Sequence, residues 1–193
     1  MNELPGRSQA AELAESLLAP LGDRWRHTRA VAARAAELTA AVPVDDRELL
    51  VVAAWWHDLG YAAELVSTGL HALDGARYLA AEGYPERLCA MVAHHSAATF
   101  EADERSLSDE LIRWPREESS VADALWMADM TTGPQGESID YPRRLAEILD
   151  RYNADSIVGR AMSRARPTIE AAIERTQRRL LAGLPDVRVG STS

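Results

Sequence analysis

An adjacent histidine and aspartate, His57 and Asp58, stand at the end of an apolar run that closes with Trp55-Trp56. An imidazole and a carboxylate are poor core residues without a partner, because burying an unpaired charge is costly. A divalent metal ion is the simplest partner for both groups. Since two side chains do not complete a metal site, the pair predicts further ligands elsewhere in the chain.

The other histidines and one aspartate lie in similar places, at predicted helix ends or loop edges. His94-His95 ends a second strongly apolar helix, and Asp129 interrupts another near its end. Each residue alone has a plain structural explanation, since a helix dipole favours a histidine at a C-terminus. Together they are a much rarer coincidence, and the ends of bundled helices can meet in one pocket. The candidate ligands are His27, His57, Asp58, His71, His94, His95 and Asp129.

Helical spacing of apolar residues dominates the sequence, and no stretch shows convincing strand alternation. The pattern predicts an all-α fold of about eight helices in one domain, residues 1–193. The ligand pattern falls within about 20–135, helices follow over 141–182, and a flexible tail is expected over 183–193. Pro167 favours the start of a separate last helix, because proline suits a first helical position.

The segment 96–120 is polar and acidic. Its composition favours a solvated loop, and the alternative is a lid over the site.

The charge and composition of the chain limit which kinds of molecule it can bind. The formal net charge of −9 argues against binding to duplex nucleic acid, which requires a basic surface. A nucleotide or another small anion remains compatible, because a bound metal ion can dominate the local field. The chain has no lysine, so any basic phosphate anchor must be an arginine.

The sequence also predicts a compartment. It has one cysteine, Cys89, no recognisable signal peptide and no apolar run of membrane-spanning length. We therefore expect a cytoplasmic protein without a membrane partner. The oligomeric state does not follow from the sequence.

The order and spacing of the candidate ligands resemble the HD-domain superfamily of metal-dependent phosphohydrolases. The matching segments are RHTRAVA at His27, WWHDLGY at His57-Asp58, HALDGA at His71, VAHHS at His95 and WMADMTT at Asp129. Gly75 and Ala76 complete a His-x-x-x-Gly-Ala match. That match is similar to the dinuclear branch, as in bacterial HD-type hydrolases of diadenosine tetraphosphate.

The resemblance implies an all-helical fold that holds two divalent transition-metal ions. Asp58 would bridge both ions and is the predicted catalytic residue. The other ligands would divide into one set of His27, His57 and Asp129, and a second set of His71 with His94, His95 or both, His95 being favoured. Sites rich in histidine suit iron, manganese, cobalt, nickel or zinc better than magnesium or calcium. Iron or manganese is expected.

Two such ions about 3.5–4 Å apart would activate a water molecule and hold the phosphoryl oxygens of a small phosphoester or nucleotide. No nucleophilic triad or phosphate-binding Gly-rich loop is recognisable, which fits this chemistry. Tyr61 stands where several families of the superfamily carry lysine, so a lysine contact is missing. The predicted substrate-binding residues are Arg24, Arg26, Arg77 and Thr132, for which a surface or capping role is the alternative.

Two other functions compete with phosphohydrolysis. A mixed-valent di-iron oxygenase of the same HD architecture, acting on a small organic or organophosphonate substrate, would use the same ligands. A non-catalytic helical regulatory module would keep the site only for folding.

Overall fold

The computed structural model describes residues 3–183, and this part of the chain forms a single all-α domain. It contains no β-strand beyond an isolated bridge between Thr132 and Ser138. The predicted fold class is confirmed. No helix within these residues is long and apolar enough to cross a membrane. The ten α-helices of the described residues are α1 (Arg7–Leu18), α2 (Asp23–Glu37), α3 (Arg47–Trp56), α4 (His71–Ala81), α5 (Glu86–Ala93), α6 (Ala98–Glu104), α7 (Ser108–Leu111), α8 (Ser120–Met130), α9 (Tyr141–Tyr152) and α10 (Ile157–Gly183).

Two helices, α3 and α8, form the centre of the domain and contact each other. Almost every residue from Leu49 to Trp56 is buried, and so is nearly all of α8. A helix that is apolar on all sides is stable only when other elements cover every side. The covering elements are α1, α2 and α5 around α3, and α2, α9 and α10 around α8.

The C-terminal region differs from the sequence-based expectation. Residues 157–183 form one continuous helix with Pro167 inside it, whereas two separate helices were predicted. An interior proline removes a backbone hydrogen bond and disfavours a helix. Here the buried stripe continues on both sides of Pro167, through Ala161, Ala165, Ile169 and Ala172, and packs against α8 and α6. Burial of that stripe therefore outweighs the local preference. The predicted flexible tail lies outside the described residues, except for Gly183.

The acidic segment 96–120 is not a simple solvated loop, and that prediction is wrong. It contains α6 and α7, and it buries Ala102, Leu111 and Trp114. The acidic Glu104 is paired with Arg160 and Arg164 of α10. The charges that suggested a loop therefore help to attach α6 to the last helix.

A close contact between two glycines sets the position of the metal-ligand segments. The short 3₁₀ turn Leu59–Tyr61 follows His57-Asp58 and packs against the start of α4. A Cβ atom at Gly60 would lie 2.0 Å from the carbonyl oxygen of His71 and 2.7 Å from the amide nitrogen of Gly75. Both neighbours are backbone atoms, so only glycine allows the turn to approach this closely.

We predict that Gly60→Ala lowers the free energy of unfolding by at least about 2 kcal/mol, because rigid backbone would have to move. Gly6→Ala is the matched control, since a Cβ atom there meets nothing within 4 Å. Urea denaturation monitored by circular dichroism measures both changes. Equal stability of the two variants would contradict the importance of this contact.

Candidate metal centre

Five different elements bring the predicted ligands together. His27 lies in the second turn of α2, and His57-Asp58 follows the last residue of α3. His71 is the first residue of α4. The two remaining residues of the group are His95, two positions after α5 ends, and Asp129, the penultimate residue of α8. Helix ends therefore meet at one place, as the sequence pattern indicated.

The first cluster consists of His27, His57 and Asp129, all of which are buried. One potential ligand atom from each residue lies within 4.8 Å of those of the other two. His27 Nε2 is 3.1 Å from Asp129 Oδ1, and His57 Nε2 is 4.0 Å from the same oxygen. Burial alone would raise the pKa of Asp129, but its contact with His27 and the charge on His57 hold that pKa below its usual value.

The second cluster consists of Asp58, His71 and His95, again with ligand atoms within 4.8 Å of one another. The Nε2 atoms of His71 and His95 are 3.1 Å apart. Burial lowers the pKa of both imidazoles, so both rings favour the neutral form, which can bind a metal.

The Asp58 carboxylate lies between the two clusters. Its Oδ2 atom is 3.3 Å from His57 Nε2, and its Oδ1 atom is 3.4 Å from His71 Nε2. Arg24 Nη1 donates a hydrogen bond of 2.7 Å to Oδ2. Burial would raise the pKa of Asp58, but the charges of Arg24 and His57 hold it well below its usual value. Each of the two oxygens of this ionised carboxylate therefore faces a histidine of a different cluster.

The hydrogen bonds of three histidine rings indicate that their free nitrogens suit a cation. The Nδ1 atoms of His27, His57 and His95 are 3.1, 2.8 and 2.7 Å from the backbone carbonyl oxygens of Gly133, Ala54 and Val92. A carbonyl oxygen only accepts, so each Nδ1 carries a proton, and in a neutral ring the Nε2 lone pair is then free. These Nε2 atoms face carboxylate oxygens or another imidazole. When the rings are neutral, these atoms are all acceptors, and a metal ion would be a common partner for them.

His57 gives the clearest single observation. The ring is completely buried, and its Nε2 atom makes no well-aligned hydrogen bond among the described residues, although Asp58 Oδ2 lies 3.3 Å away. A buried polar atom without a partner is costly, and native proteins rarely keep one without a reason. A bound cation would supply the missing partner.

Tyr61 holds two of the groups around Asp58. Its ring stacks on His71 with 4.1 Å between centroids, and the Arg24 guanidinium lies 3.9 Å above the Tyr61 ring centroid. Burial raises the pKa of the Tyr61 phenol, so the ring stays neutral. Arg24 thus supplies a positive charge next to Asp58 in a chain that has no lysine.

Ser96 was not predicted as a site residue. It directly follows His95, has a φ of 49°, and donates a hydrogen bond of 2.5 Å from Oγ to Asp129 Oδ2. This left-handed conformation is uncommon for serine. The contact orients Asp129 so that its other oxygen, Oδ1, faces His27 and His57. No periodicity in the sequence signals such a contact, because it depends on how α5 ends.

The structure does not bring His94 to either cluster. Its Nε2 atom donates to the carbonyl oxygen of Trp114 at 2.8 Å, and its Nδ1 atom is 3.2 Å from Thr99 Oγ1. Both ring nitrogens are therefore engaged with the segment that follows α5. His94 and His95 are adjacent at a helix end, so their side chains leave the backbone in different directions, and His95 alone reaches the site.

Three of the four predicted substrate residues also lie elsewhere. Arg26 pairs with Asp23 at the surface, and Arg77 pairs with Glu110 at 2.6 Å. Thr132 Oγ1 donates to the carbonyl oxygen of Ala128 at 2.8 Å and does not line the pocket beside the clusters. Of the four, only Arg24 does. Arg26 is two positions from Arg24 on α2, so the helix turns it to another face.

A pocket of about 790 Å³, its open mouth included, lies beside the clusters and is large enough for a small phosphorylated compound. Asp58, His71, His95 and Asp129 form part of its wall. The rest of the wall includes residues in or next to α6, α9 and α10, which the ligand pattern did not include. Their pocket residues include Glu101, Arg105, Arg144, Ile148, Arg151, Tyr152, Val158 and Met162.

We predict that His95→Gln abolishes binding of one metal ion, whereas His94→Gln leaves metal content at the wild-type level. These neighbours form a matched pair, since only His95 belongs to a cluster. Metal content after manganese loading and gel filtration, measured by atomic emission, checks the prediction. Loss of metal in the His94→Gln protein, or full retention in the His95→Gln protein, would contradict the assignment.

The comparison with known proteins agrees with this geometry. The family model described as "HD domain" matches residues 24–155, more than half of the chain and a range that contains all six clustered residues. No curated protein and no solved structure matches the chain significantly. The members of the matched family are generally metal-dependent phosphohydrolases. The chain belongs to the HD domain family.

Proposed function

We propose that the protein is a metal-dependent phosphohydrolase that acts on a small phosphoester or nucleotide. The observation that carries the proposal is the position of Asp58. Its two oxygens face one histidine from each of two clusters, within a pocket that also contains the Arg24 guanidinium.

In this proposal Asp58 would contribute to the binding of two ions. His27, His57 and Asp129 would hold the first ion, and His71 and His95 would hold the second. The histidine-rich donor set suits iron or manganese, with zinc, cobalt and nickel as further possibilities. When bound, two such ions supply a hydroxide nucleophile near neutral pH and stabilise negative charge on phosphoryl oxygens.

The protein's own residues prepare the site for an anionic substrate. Arg24 remains charged beside Asp58 and lines the pocket, so its free N–H groups can bind a phosphoryl oxygen. Tyr61 keeps the guanidinium in place through the stacked contact. The backbone hydrogen bonds of His27, His57 and His95 fix which ring nitrogen faces the centre.

The test is phosphate release from a panel of phosphomonoesters and nucleotides by protein loaded with manganese or iron(II). We expect activity with the wild type and a loss of at least about 10³-fold for Asp58→Asn, because an amide offers one oxygen instead of two. Arg24→Met should lower kcat/KM by about 10- to 100-fold, the cost of a lost charge-assisted contact. Arg26→Met on the same helix is the control and should keep wild-type activity.

Failure to release phosphate from any compound would refute the proposal. Consumption of oxygen by the iron-loaded protein, without phosphate release, would favour the di-iron oxygenase instead. If His57→Ala destabilised the fold while the wild type remained inactive in both assays, a regulatory module would be the better description.

A further inference from the structure

One face of α9 forms a wall of the pocket that the metal-ligand pattern does not explain. Four residues of α9 share one side of the helix, because each lies three, four, seven or eight positions from Arg144 or Ile148. They are Arg144, Ile148, Arg151 and Tyr152. All four line the pocket beside Asp58. This face places two guanidinium groups in the same pocket as the proposed metal centre.

Arg144 is unusual because it is charged and only 4% exposed. Its Nη1 atom donates to Glu147 Oε2 at 2.5 Å, but its Nε atom is buried and has no hydrogen-bond partner among the described residues. A buried guanidinium is costly when its N–H groups lack acceptors. The pocket that Arg144 lines is the place from which an acceptor could come.

The charges around Arg144 do not balance within α9. Arg151 also pairs with Glu147, so two guanidinium groups share one carboxylate. Arg144 and Arg151 additionally line a small cavity together with Arg24 and His27. Arg24 in turn contacts Asp58. Three guanidinium groups, those of Arg24, Arg144 and Arg151, therefore line one cavity together with the carboxylate of Asp23.

Apolar side chains form part of the wall next to these arginines, beside the polar Ser96, Glu101 and Arg105. Ile148 and Tyr152 come from α9, Val158 and Met162 from the start of α10, and Met130 from the end of α8. Such a surface favours a short hydrocarbon or aromatic body over a sugar with many hydroxyl groups.

We propose that this wall recognises a second anionic group of the substrate. On this view, which rests on the proposed function, the substrate is a small phosphoester whose leaving group has an apolar body and ends in its own carboxylate or phosphate. The Arg144 guanidinium, which lines the pocket, binds that terminal group with a charge-assisted hydrogen bond, and Arg151 adds a second positive charge. The phosphoester end then lies at Asp58 and Arg24.

Non-hydrolysable alkylphosphonates of increasing chain length test this inference, each prepared with a methyl, a carboxylate or a second phosphonate terminus. Isothermal titration calorimetry of the manganese-loaded protein gives Kd for each compound. At one or two chain lengths the anionic terminus should improve binding by about tenfold over the methyl terminus, as expected of one charge-assisted contact. The carboxylate and phosphonate series show which terminal group the wall prefers.

Arg144→Met should reduce this preference to less than about twofold, and Arg151→Met should reduce it partly. Arg143→Met is the matched control, because Arg143 is the exposed neighbour of Arg144 on the same helix and should keep the full preference. Circular dichroism verifies that each variant is folded. If Arg144→Met does not fold, the Kd values of Arg151→Met and of the wild type across the chain-length series still test the inference.

Equal Kd values for methyl and anionic termini at every chain length would overturn the inference, as would a preference that survives in both Arg144→Met and Arg151→Met. Because phosphonates are not hydrolysed, the result does not depend on turnover. Protein that releases no phosphate but prefers anionic termini would refute the proposed function and the phosphoester substrate, and would support only the second anion-binding site at Arg144.

Discussion

The candidate metal centre is organised around the buried carboxylate of Asp58. A carboxylate that is only 2% exposed is placed among histidines from four different helices or helix ends and a single arginine. An ionised group in such a place is stable only when positive charge surrounds it. Arg24 supplies part of that positive charge. The ring nitrogens that face the carboxylate are placed so that a cation could supply further positive charge. The centre is therefore a set of histidines and carboxylates that could hold a divalent metal ion.

The fold meets this requirement with rigid elements rather than with loops. The ligands lie at or near the ends of α3, α4, α5 and α8, and His27 lies early in α2. The approach of Gly60 to Gly75 fixes the distance between the segment of Asp58 and that of His71. Backbone carbonyls orient the rings of His27, His57 and His95, so the fold itself sets which ring nitrogen faces the centre.

The sequence was sufficient to predict the fold class and the family, because both depend on residue types at helical spacing. Histidine and aspartate at the ends of apolar helices are rare enough to identify a candidate centre. The choice between His94 and His95 could not be made in this way, since it depends on the direction in which each side chain leaves the end of α5. Arg26 and Arg77 were predicted from proximity in sequence, but the helices turn them to other faces and other partners.

The part of the pocket formed by α9 was the least predictable. Arg144 belongs to a helix outside the ligand pattern, and its place in the pocket depends on how α9 packs beside α8 and α10. The continuous α10 shows the same limit, because burial of a long apolar stripe overrides the local effect of Pro167. Packing between distant segments decided both outcomes.

The most direct test of the central claim is the anomalous scattering of a crystal of manganese-loaded protein. The account predicts two metal peaks per chain, one bound by His27, His57 and Asp129 and the other by His71 and His95, with an Asp58 oxygen bound to each. A single peak, or two peaks of which only one contacts Asp58, would contradict it.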